Sequence, residues 1–318
     1  MATHAPIEIE AEYRELRQGA GLLERSERAL LEVRGPDAAE FLQGQVTNDI
    51  VALVPGQGCY AAILNPKGRI VADMRVLPTA PERFLIDTEL STHEAVLQDL
   101  RMYKIGRRVE VLDESAEHLV LSLIGPRSDE IASAATGLRP GAEEHSSVEN
   151  GAFAVRTDAG IDLIAARDAA KLRERLLEVG ARPVSLASAE IIRIETGRPR
   201  HGLDMSDENL PAEAGIVERA VSFTKGCYVG QEPVARMYYK GHPNRHLRGL
   251  RLSAPAAPGA PIFADGKEVG RVGSAAVSPA LGPIALALVR REVEPGAEVS
   301  IGEAGPTASV VVLPFANS

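Results

Sequence analysis

Short hydrophobic runs, separated by Gly, Pro and charged positions, recur along the first two thirds of the chain. The runs at 29–33, 60–64 and 118–124 are too short for helices and predict buried strands. Residues 92–103 carry apolar side chains at helical spacing, which predicts an amphipathic helix. Residues 8–28 are rich in charge, with few apolar anchors, and we expect one amphipathic helix there.

One order of elements occurs twice. A strand, a Gly-Pro pair and a helix follow one another around Gly35-Pro36 and again around Gly125-Pro126. Strands that alternate with helices in two similar blocks are typical of duplicated α+β units of ferredoxin-like type. We therefore predict an α+β fold.

The pattern changes after residue 241, where Pro and Gly recur between short apolar runs. Asp265-Gly266 is a strong hairpin signal. Strands are predicted at 247–252, 268–277, 284–289 and 309–313. A small β-barrel or sandwich is the expected C-terminal domain, with domain limits of 1–240 and 241–318.

Composition narrows the classes of protein. The 318 residues suffice for two domains, and the net charge of −9 argues against nucleic acid as a partner. No apolar run reaches the length of a membrane span, and the N-terminus lacks the features of a signal peptide, so no membrane partner is expected. Cys59 and Cys227 are the only cysteines, which makes a disulfide scaffold improbable and a cytoplasmic location expected.

Several kinds of chemistry lack their sequence signatures. The chain contains no Cys-x-x-Cys, Walker loop or G-x-S-x-G elbow, and no G-x-G-x-x-G follows a strand. His242 and His246 have the spacing of helical metal ligands, but Pro243 between them disrupts a helix. We predict no metal site.

The densest group of polar and turn-forming residues lies at 223–236. A short strand is expected to enter a turn that contains two glycines, and a helix is expected at 231–240. Lys225 and the helix N-terminus would both favour the thiolate form of Cys227. The alternative interpretation is that Cys227 is a small buried hydrophobic residue.

Residues 225–232, Lys-Gly-Cys-Tyr-Val-Gly-Gln-Glu, resemble the signature of YgfZ-type folate-binding proteins. These proteins are relatives of the glycine-cleavage T-protein, an aminomethyltransferase that uses tetrahydrofolate. Further segments agree with the resemblance in the expected order, at 45–49, 65–70, 193–197 and 211–215.

The resemblance implies duplicated ferredoxin-like units around a central folate channel, followed by a C-terminal β-barrel. It also implies that the protein binds tetrahydrofolate and assists the assembly or repair of iron–sulfur clusters. The partners would be iron–sulfur client or carrier proteins. Cys227, next to Lys225, can contact an exposed cluster, capture a one-carbon adduct, sense oxidation or only shape the turn.

Folate presents parallel N–H donors on its pterin ring and a carboxylate tail, which carboxylates and Arg or Lys recognise respectively. By its position in the resemblance, Asp162 is the expected pterin carboxylate, with Arg193 and Glu195 lining the channel. Asp162 can also be an exposed polar residue of a strand. The remaining expected cofactor contacts are Asn48, Tyr228 and Gln231.

One departure from the T-protein pattern bears on activity. T-proteins carry paired aspartates after the hairpin glycine, whereas this chain has Ala72-Asp73. Asp73 can still act on folate, but the missing neighbour counts against transferase chemistry. Together with Cys227, this favours the iron–sulfur role. The alternatives are a folate-dependent aminomethyltransferase or demethylase acting on a small amine, and a purely structural binding module.

Overall fold

The structure is a computed structural model that describes residues 6–315. The chain forms two compact units. Unit 1 contains the chain up to Leu64, Val71–Leu186 and Arg219–Val229, and unit 2 contains Asn65–Ile70, Ala187–Glu218 and the chain from Gly230 onward.

Single helices separate groups of one to three strands up to residue 183, and two helices follow. In chain order they are α1 (Pro6–Gln18), β1 (Gly21–Glu24), β2 (Arg28–Arg34), α2 (Ala38–Gln45), β3 (Cys59–Leu64), β4 (Ile70–Ala80), β5 (Arg83–Glu89), α3 (His93–Tyr103), β6 (Glu110–Asp113), β7 (His118–Ile124), α4 (Ser128–Thr136), β8 (Ser147–Glu149), β9 (Phe153–Arg156), β10 (Gly160–Ala166), α5 (Ala170–Glu178), β11 (Arg182–Pro183), α6 (Leu186–Glu195) and α7 (Val217–Ala220).

Unit 1 contains two sheets. The five-stranded sheet has the order β3-β4-β5-β2-β6, and the six-stranded sheet has the order β11-β1-β7-β10-β9-β8. Strands β2 and β7 lie inside their sheets, and each is followed by a Gly-Pro turn and a helix. Gly35 and Gly125 adopt φ values of 129° and 126°, a region that favours glycine. The predicted repeat of strand, Gly-Pro and helix is therefore confirmed.

The two sheets of unit 1 pack against each other. Leu30 and Leu77 of the five-stranded sheet contact an apolar cluster that includes Val120 and Ile164 of the six-stranded sheet. The opposite face of each sheet is covered by helices, with Leu100 of α3 fully buried in one of these cores. Burial on both faces explains why the strands are continuous apolar runs rather than alternating ones.

The C-terminal part of unit 2 is a closed β-barrel. Helix α8 (Gln231–Lys240) precedes it, and its strands are β12 (Arg245–Leu252), β13 (Pro261–Ala264), β14 (Lys267–Ser278), β15 (Gly282–Arg290), β16 (Glu298–Ile301) and β17 (Thr307–Val311). They close in the order β12-β15-β14-β13-β16-β17 around an apolar interior. The predicted fold class, an α+β chain with a C-terminal barrel, is confirmed.

The single helix expected at 8–28 is wrong beyond Gln18. Residues 21–24 form strand β1, which pairs with β7 and places Leu22 opposite Leu123. Glycines at 19 and 21 disfavour helix, and burial of Leu22 and Leu23 in the sheet outweighs the charged helical pattern before them. Strands β13 and β16, of four residues each, were missed because their apolar runs are too short to stand out.

Within residues 6–315, no helix combines the length and apolar character needed to cross a membrane.

The turn glycines of the repeat generate a stability prediction. A Cβ atom at residue 125 would lie 2.6 Å from the carbonyl oxygen of Gly19 and 2.8 Å from that of Leu16. We expect Gly125→Ala to lower the free energy of unfolding by about 2–4 kcal/mol, because backbone strain adds to a steric clash. Urea denaturation of the full chain measures this loss.

Gly137→Ala is the matched control. Gly137 also has a positive φ, 76°, but nothing lies within 4 Å of an added Cβ. We expect a loss of only about 1 kcal/mol there. Equal losses in the two variants would contradict the assigned close approach at Gly125.

Candidate functional site

The residues around Cys227 form a loop between α7 and α8. The strand expected to enter this segment is wrong, since residues 221–229 contain no strand. The helix expected at 231–240 is confirmed as α8, and Gly230 precedes it with a φ of 80°. The Cys227 side chain is exposed, whereas Cys59 is buried. The interpretation of Cys227 as a buried hydrophobic residue is therefore wrong.

Lys225 holds this loop of unit 1 against helix α2. Its Nζ donates to the carbonyl oxygens of Gln43 at 2.5 Å, Val46 at 2.6 Å and Asn48 at 2.9 Å. These carbonyls lie at and just beyond the end of α2, where a cation is favourable. Burial lowers the pKa of Lys225 to about 8. Lys225 also lies over the Tyr228 ring, with Nζ 5.0 Å from the ring centre.

A chain of hydrogen bonds leads from this contact to Asp73. Asn48, whose carbonyl accepts from Lys225, donates from Nδ2 to the carbonyl oxygen of Tyr60 at 2.9 Å and to that of Arg219 at 3.1 Å. The Tyr60 hydroxyl donates to Asp73 Oδ2 at 2.8 Å. Four of the predicted site residues, Lys225, Asn48, Tyr228 and Asp73, are thus linked within unit 1.

The Tyr60–Asp73 pair is buried. Asp73 is 9% exposed, and burial, reinforced by the negative charge of Asp73, raises the pKa of Tyr60 well above its ordinary value. Tyr60 is therefore a neutral hydrogen-bond donor that orients the carboxylate. The Arg219 guanidinium lies 4.7 Å from the centre of the Tyr60 ring and pairs with Glu144 at 2.6 Å.

A buried ion network lies on the same strands. Asp87 of β5 accepts from Arg28 of β2 at 2.8 Å and also from Arg75 of β4. Arg75 continues to Asp162 of β10 at 2.7 Å, so the network joins the two sheets of unit 1. Burial alone would raise the pKa of Asp87, but Arg28 and Arg75 outweigh it and lower that pKa to about 2.

The expected pterin carboxylate, Asp162, is part of this network. It is 5% exposed, which excludes the interpretation as an exposed strand residue. Its Oδ1 accepts from Ser122 Oγ at 2.5 Å and its Oδ2 from Arg75. Both oxygens already have protein partners, so a pterin ring would have to share or replace one of them.

Arg193, Glu195 and Gln231 belong to unit 2. Arg193 donates to Glu190 and Asp204, each at 2.8 Å, and to Ser274 at 2.5 Å, so its guanidinium ties α6 to the barrel. Glu195 is 3% exposed and accepts from Ser278. Gln231 is the first residue of α8.

Sequence reasoning missed Tyr60, Arg28, Arg75 and Asp87. A signal for two of them was present, because Arg75 lies between Met74 and Val76 and Asp87 follows Leu85 and Ile86. A charge in such an apolar stretch of a strand needs a partner. The partners themselves are not visible in the sequence, since they come from other strands.

Comparison with known proteins assigns the fold to a class. A family model of the GCVT N-terminal domain matches residues 3–167, and a model of the glycine cleavage T-protein C-terminal barrel domain matches residues 245–316. The glycine cleavage aminomethyltransferase T of Bartonella henselae has a TM-score of 0.90 and 26% identity, and the match covers 100% of this chain and 92% of that one. The fold is therefore that of an aminomethyltransferase-like protein.

Relatives in sequence agree. An aminomethyltransferase of Rubrobacter xylanophilus is 32% identical over 96% of this chain and 86% of its own length. A putative chloroplastic transferase of Arabidopsis thaliana is 32% identical over 80% of this chain and 62% of its own length. The chain belongs to the glycine cleavage T-protein family.

The ion network generates a prediction. Asp87→Asn leaves two buried guanidinium groups without their shared carboxylate, and we expect a loss of about 3–5 kcal/mol in the free energy of unfolding at pH 7. Because the folded-state pKa of Asp87 lies below its ordinary value, its stabilising effect is present above pH 4 and is lost as pH falls towards 2. Urea denaturation between pH 2 and pH 7 measures both effects.

The control is Glu130→Gln, which removes an exposed pair with Arg127 and should cost less than about 1 kcal/mol. The wild type should lose stability between pH 4 and pH 2 more steeply than Asp87→Asn does. Parallel pH profiles for wild type and Asp87→Asn would contradict the charge assignment.

Proposed function

We propose that this protein binds tetrahydrofolate and transfers a one-carbon unit to it from a small aminomethyl donor, as an aminomethyltransferase. The observation that carries the proposal is the buried Asp73 carboxylate, which the Tyr60 hydroxyl holds at 2.8 Å. Family membership supports it, since the relatives named above are an aminomethyltransferase and a putative transferase. The sequence leaves an aminomethyltransferase open as an alternative function, and the comparisons favour this function over the iron–sulfur role.

In the transfer, the bond between the one-carbon unit and the donor amine would break and the amine would leave. The chemistry therefore requires a group that stabilises positive charge on the amine and accepts the proton that the acceptor nitrogen would lose. A carboxylate of fixed orientation does both. Asp73 meets this requirement because Tyr60 fixes one of its oxygens and a neutral phenol leaves the negative charge in place. Tetrahydrofolate, when bound, supplies the nitrogen nucleophiles.

The chain contains buried hydrogen-bond acceptors of the kind that a folate requires. Pterin N–H groups need buried carboxylates, and Asp162 in unit 1 and Glu195 in unit 2 are both buried. We propose Asp162, Asn48 and Tyr228 as cofactor contacts from unit 1. Glu195 and Gln231 are proposed separately for unit 2. Arg193 is proposed to act by fixing α6, because its guanidinium is already engaged by Glu190 and Asp204.

Asp73→Asn tests the proposed activity. With an aminomethyl donor and tetrahydrofolate, we expect the rate of 5,10-methylenetetrahydrofolate formation to fall at least about 100-fold, because the amide cannot accept a proton. Calorimetric titration should show that tetrahydrofolate binds the variant within a few-fold of the wild type, because the variant keeps its shape.

Asp129→Asn, which changes an exposed carboxylate on α4, is the control and should leave both readouts unchanged. Unimpaired turnover in Asp73→Asn would reject Asp73 as the reacting carboxylate. Failure of the wild type to bind tetrahydrofolate would reject the proposed function as a whole.

A second candidate function rests on the exposed Cys227. The signature at 225–232 resembles YgfZ-type proteins, and an accessible thiol is available to an iron–sulfur cluster or carrier protein. In this alternative the protein assists iron–sulfur client enzymes and folate is a bound ligand. In this alternative Lys225 would not react. It would fix the loop that carries Cys227, through its hydrogen bonds to the carbonyl oxygens of Gln43 and Val46.

Cys227→Ser separates the two candidates. In cells that lack the native protein, the iron–sulfur role predicts that Cys227→Ser fails to restore the activity of [4Fe–4S] enzymes, whereas Asp73→Asn restores it. The transferase role predicts the reverse dependence in the purified turnover assay. The buried Cys59 is unsuited as a second test site, since Cys59→Ser would place a hydroxyl in the core.

A further inference from the structure

A polar cleft lies on the outside of the barrel in unit 2. Its volume is about 470 Å³, within the range of small-molecule sites, and its walls are the loop 202–209 and strands β12, β14 and β15. Leu203 and Leu288 line it together with charged side chains, including Arg245 and Arg290. None of the residues proposed above for folate or transfer chemistry lines this cleft.

One wall of the cleft is fixed by a buried anchor. Asp204, 3% exposed, accepts from the Ser274 backbone N–H at 2.7 Å and from the Ser274 hydroxyl at 2.9 Å. A register shift in β14 between Val272 and Ala275 turns this N–H away from the neighbouring strand. A Cβ on Gly273 would lie 2.5 Å from Asp204 Oδ1, so the loop and the strand approach each other closely there. The cleft is therefore preformed.

Two arginines face each other at its edge. Arg245 of β12 and Arg290 of β15 are direct partners in the antiparallel register, and both are exposed. Directly opposed residues have Cβ atoms about 4.5–5.5 Å apart, and like charges at this distance destabilise a sheet. Within the part of the chain that the structure describes, neither guanidinium pairs with a carboxylate, whereas Arg271 nearby pairs with Glu268 at 2.8 Å.

An oxyanion removes this repulsion. Guanidinium groups bind carboxylate and phosphate through paired, charge-assisted hydrogen bonds, and two neighbouring guanidinium groups can share one anion. The apolar side chains of Leu203 and Leu288 offer contact to a carbon skeleton attached to that anion. A local arrangement that costs stability, placed at the edge of a preformed cleft, is typical of a binding site.

We propose that Arg245 and Arg290 form an anion-binding site, and that the cleft beside them binds a small molecule carrying a carboxylate or phosphate group. This proposal does not rest on the proposed folate chemistry.

Isothermal titration of the full chain tests the proposal, with inorganic phosphate in one arm and succinate in the other, at ionic strength held constant with sodium chloride. The variants are Arg245→Gln and Arg290→Gln. We expect saturable binding of at least one anion to the wild type and at least about tenfold weaker binding to each variant. The arm that binds more tightly distinguishes a phosphate-bearing ligand from a carboxylate-bearing one.

Arg291→Gln is the matched control, because Arg291 is an exposed arginine next in sequence that does not line the cleft. It should bind as the wild type does. Absence of binding in both arms, or equal affinities in all four proteins, would overturn the proposal, since equal affinities indicate a general salt effect.

Thermal unfolding gives a second readout. Without added anion, Arg290→Gln should melt at the same temperature as the wild type or a higher one, because the substitution relieves the repulsion. A clearly lower melting temperature would mean that Arg290 makes a stabilising contact in the free protein, and would contradict the proposed site.

Discussion

Unit 1 depends on the two ion pairs that the buried Asp87 carboxylate makes with arginines. Arg28 and Arg75 approach this one carboxylate from neighbouring strands, and Arg75 extends the connection to Asp162 on the other sheet. Removing such ions from water costs several kcal/mol each, and only close, fully hydrogen-bonded geometry offsets that cost. The network therefore joins the two sheets of unit 1 by directional ion pairs, in addition to the apolar cluster that contains Leu30 and Ile164.

The position of Asp73 follows from this constraint. Asp73 and Arg75 are two residues apart on β4, so they lie on the same face of the strand, and fixing Arg75 fixes that face. Thr88, next to Asp87 on β5, donates from its hydroxyl to the carbonyl oxygen of Asp73 at 2.8 Å. From the other direction, Tyr60 holds the carboxylate itself. The carboxylate proposed to react is thus held at both its backbone and its side chain, and such preorganisation is what transfer chemistry requires.

Features that depend on neighbours in sequence could be predicted. The apolar runs located β3 and β7, the glycines located the turns of the repeat, and the stop at Gly241 located the end of α8. Features that depend on distant segments could not. Nothing near Lys225 indicates that its ammonium reaches the carbonyls of residues 43–48, and nothing near Asp162 indicates that Arg75 occupies its oxygen. The resemblance pointed to Lys225 and Asp162, but the structure was needed to show which protein groups they contact.

Ala72 and Asp73 occupy the positions where T-proteins carry paired aspartates. The missing aspartate at this position counted against transferase chemistry, because it was considered together with Asp73. Consecutive residues of a strand point to opposite faces, and Ala72 is fully buried in the apolar core that contains Phe41 and Val96. A carboxylate at residue 72 would therefore enter that core rather than join Tyr60 and Asp73. The alanine removes no group from the face that carries the proposed chemistry, so the objection to a transferase loses its physical basis.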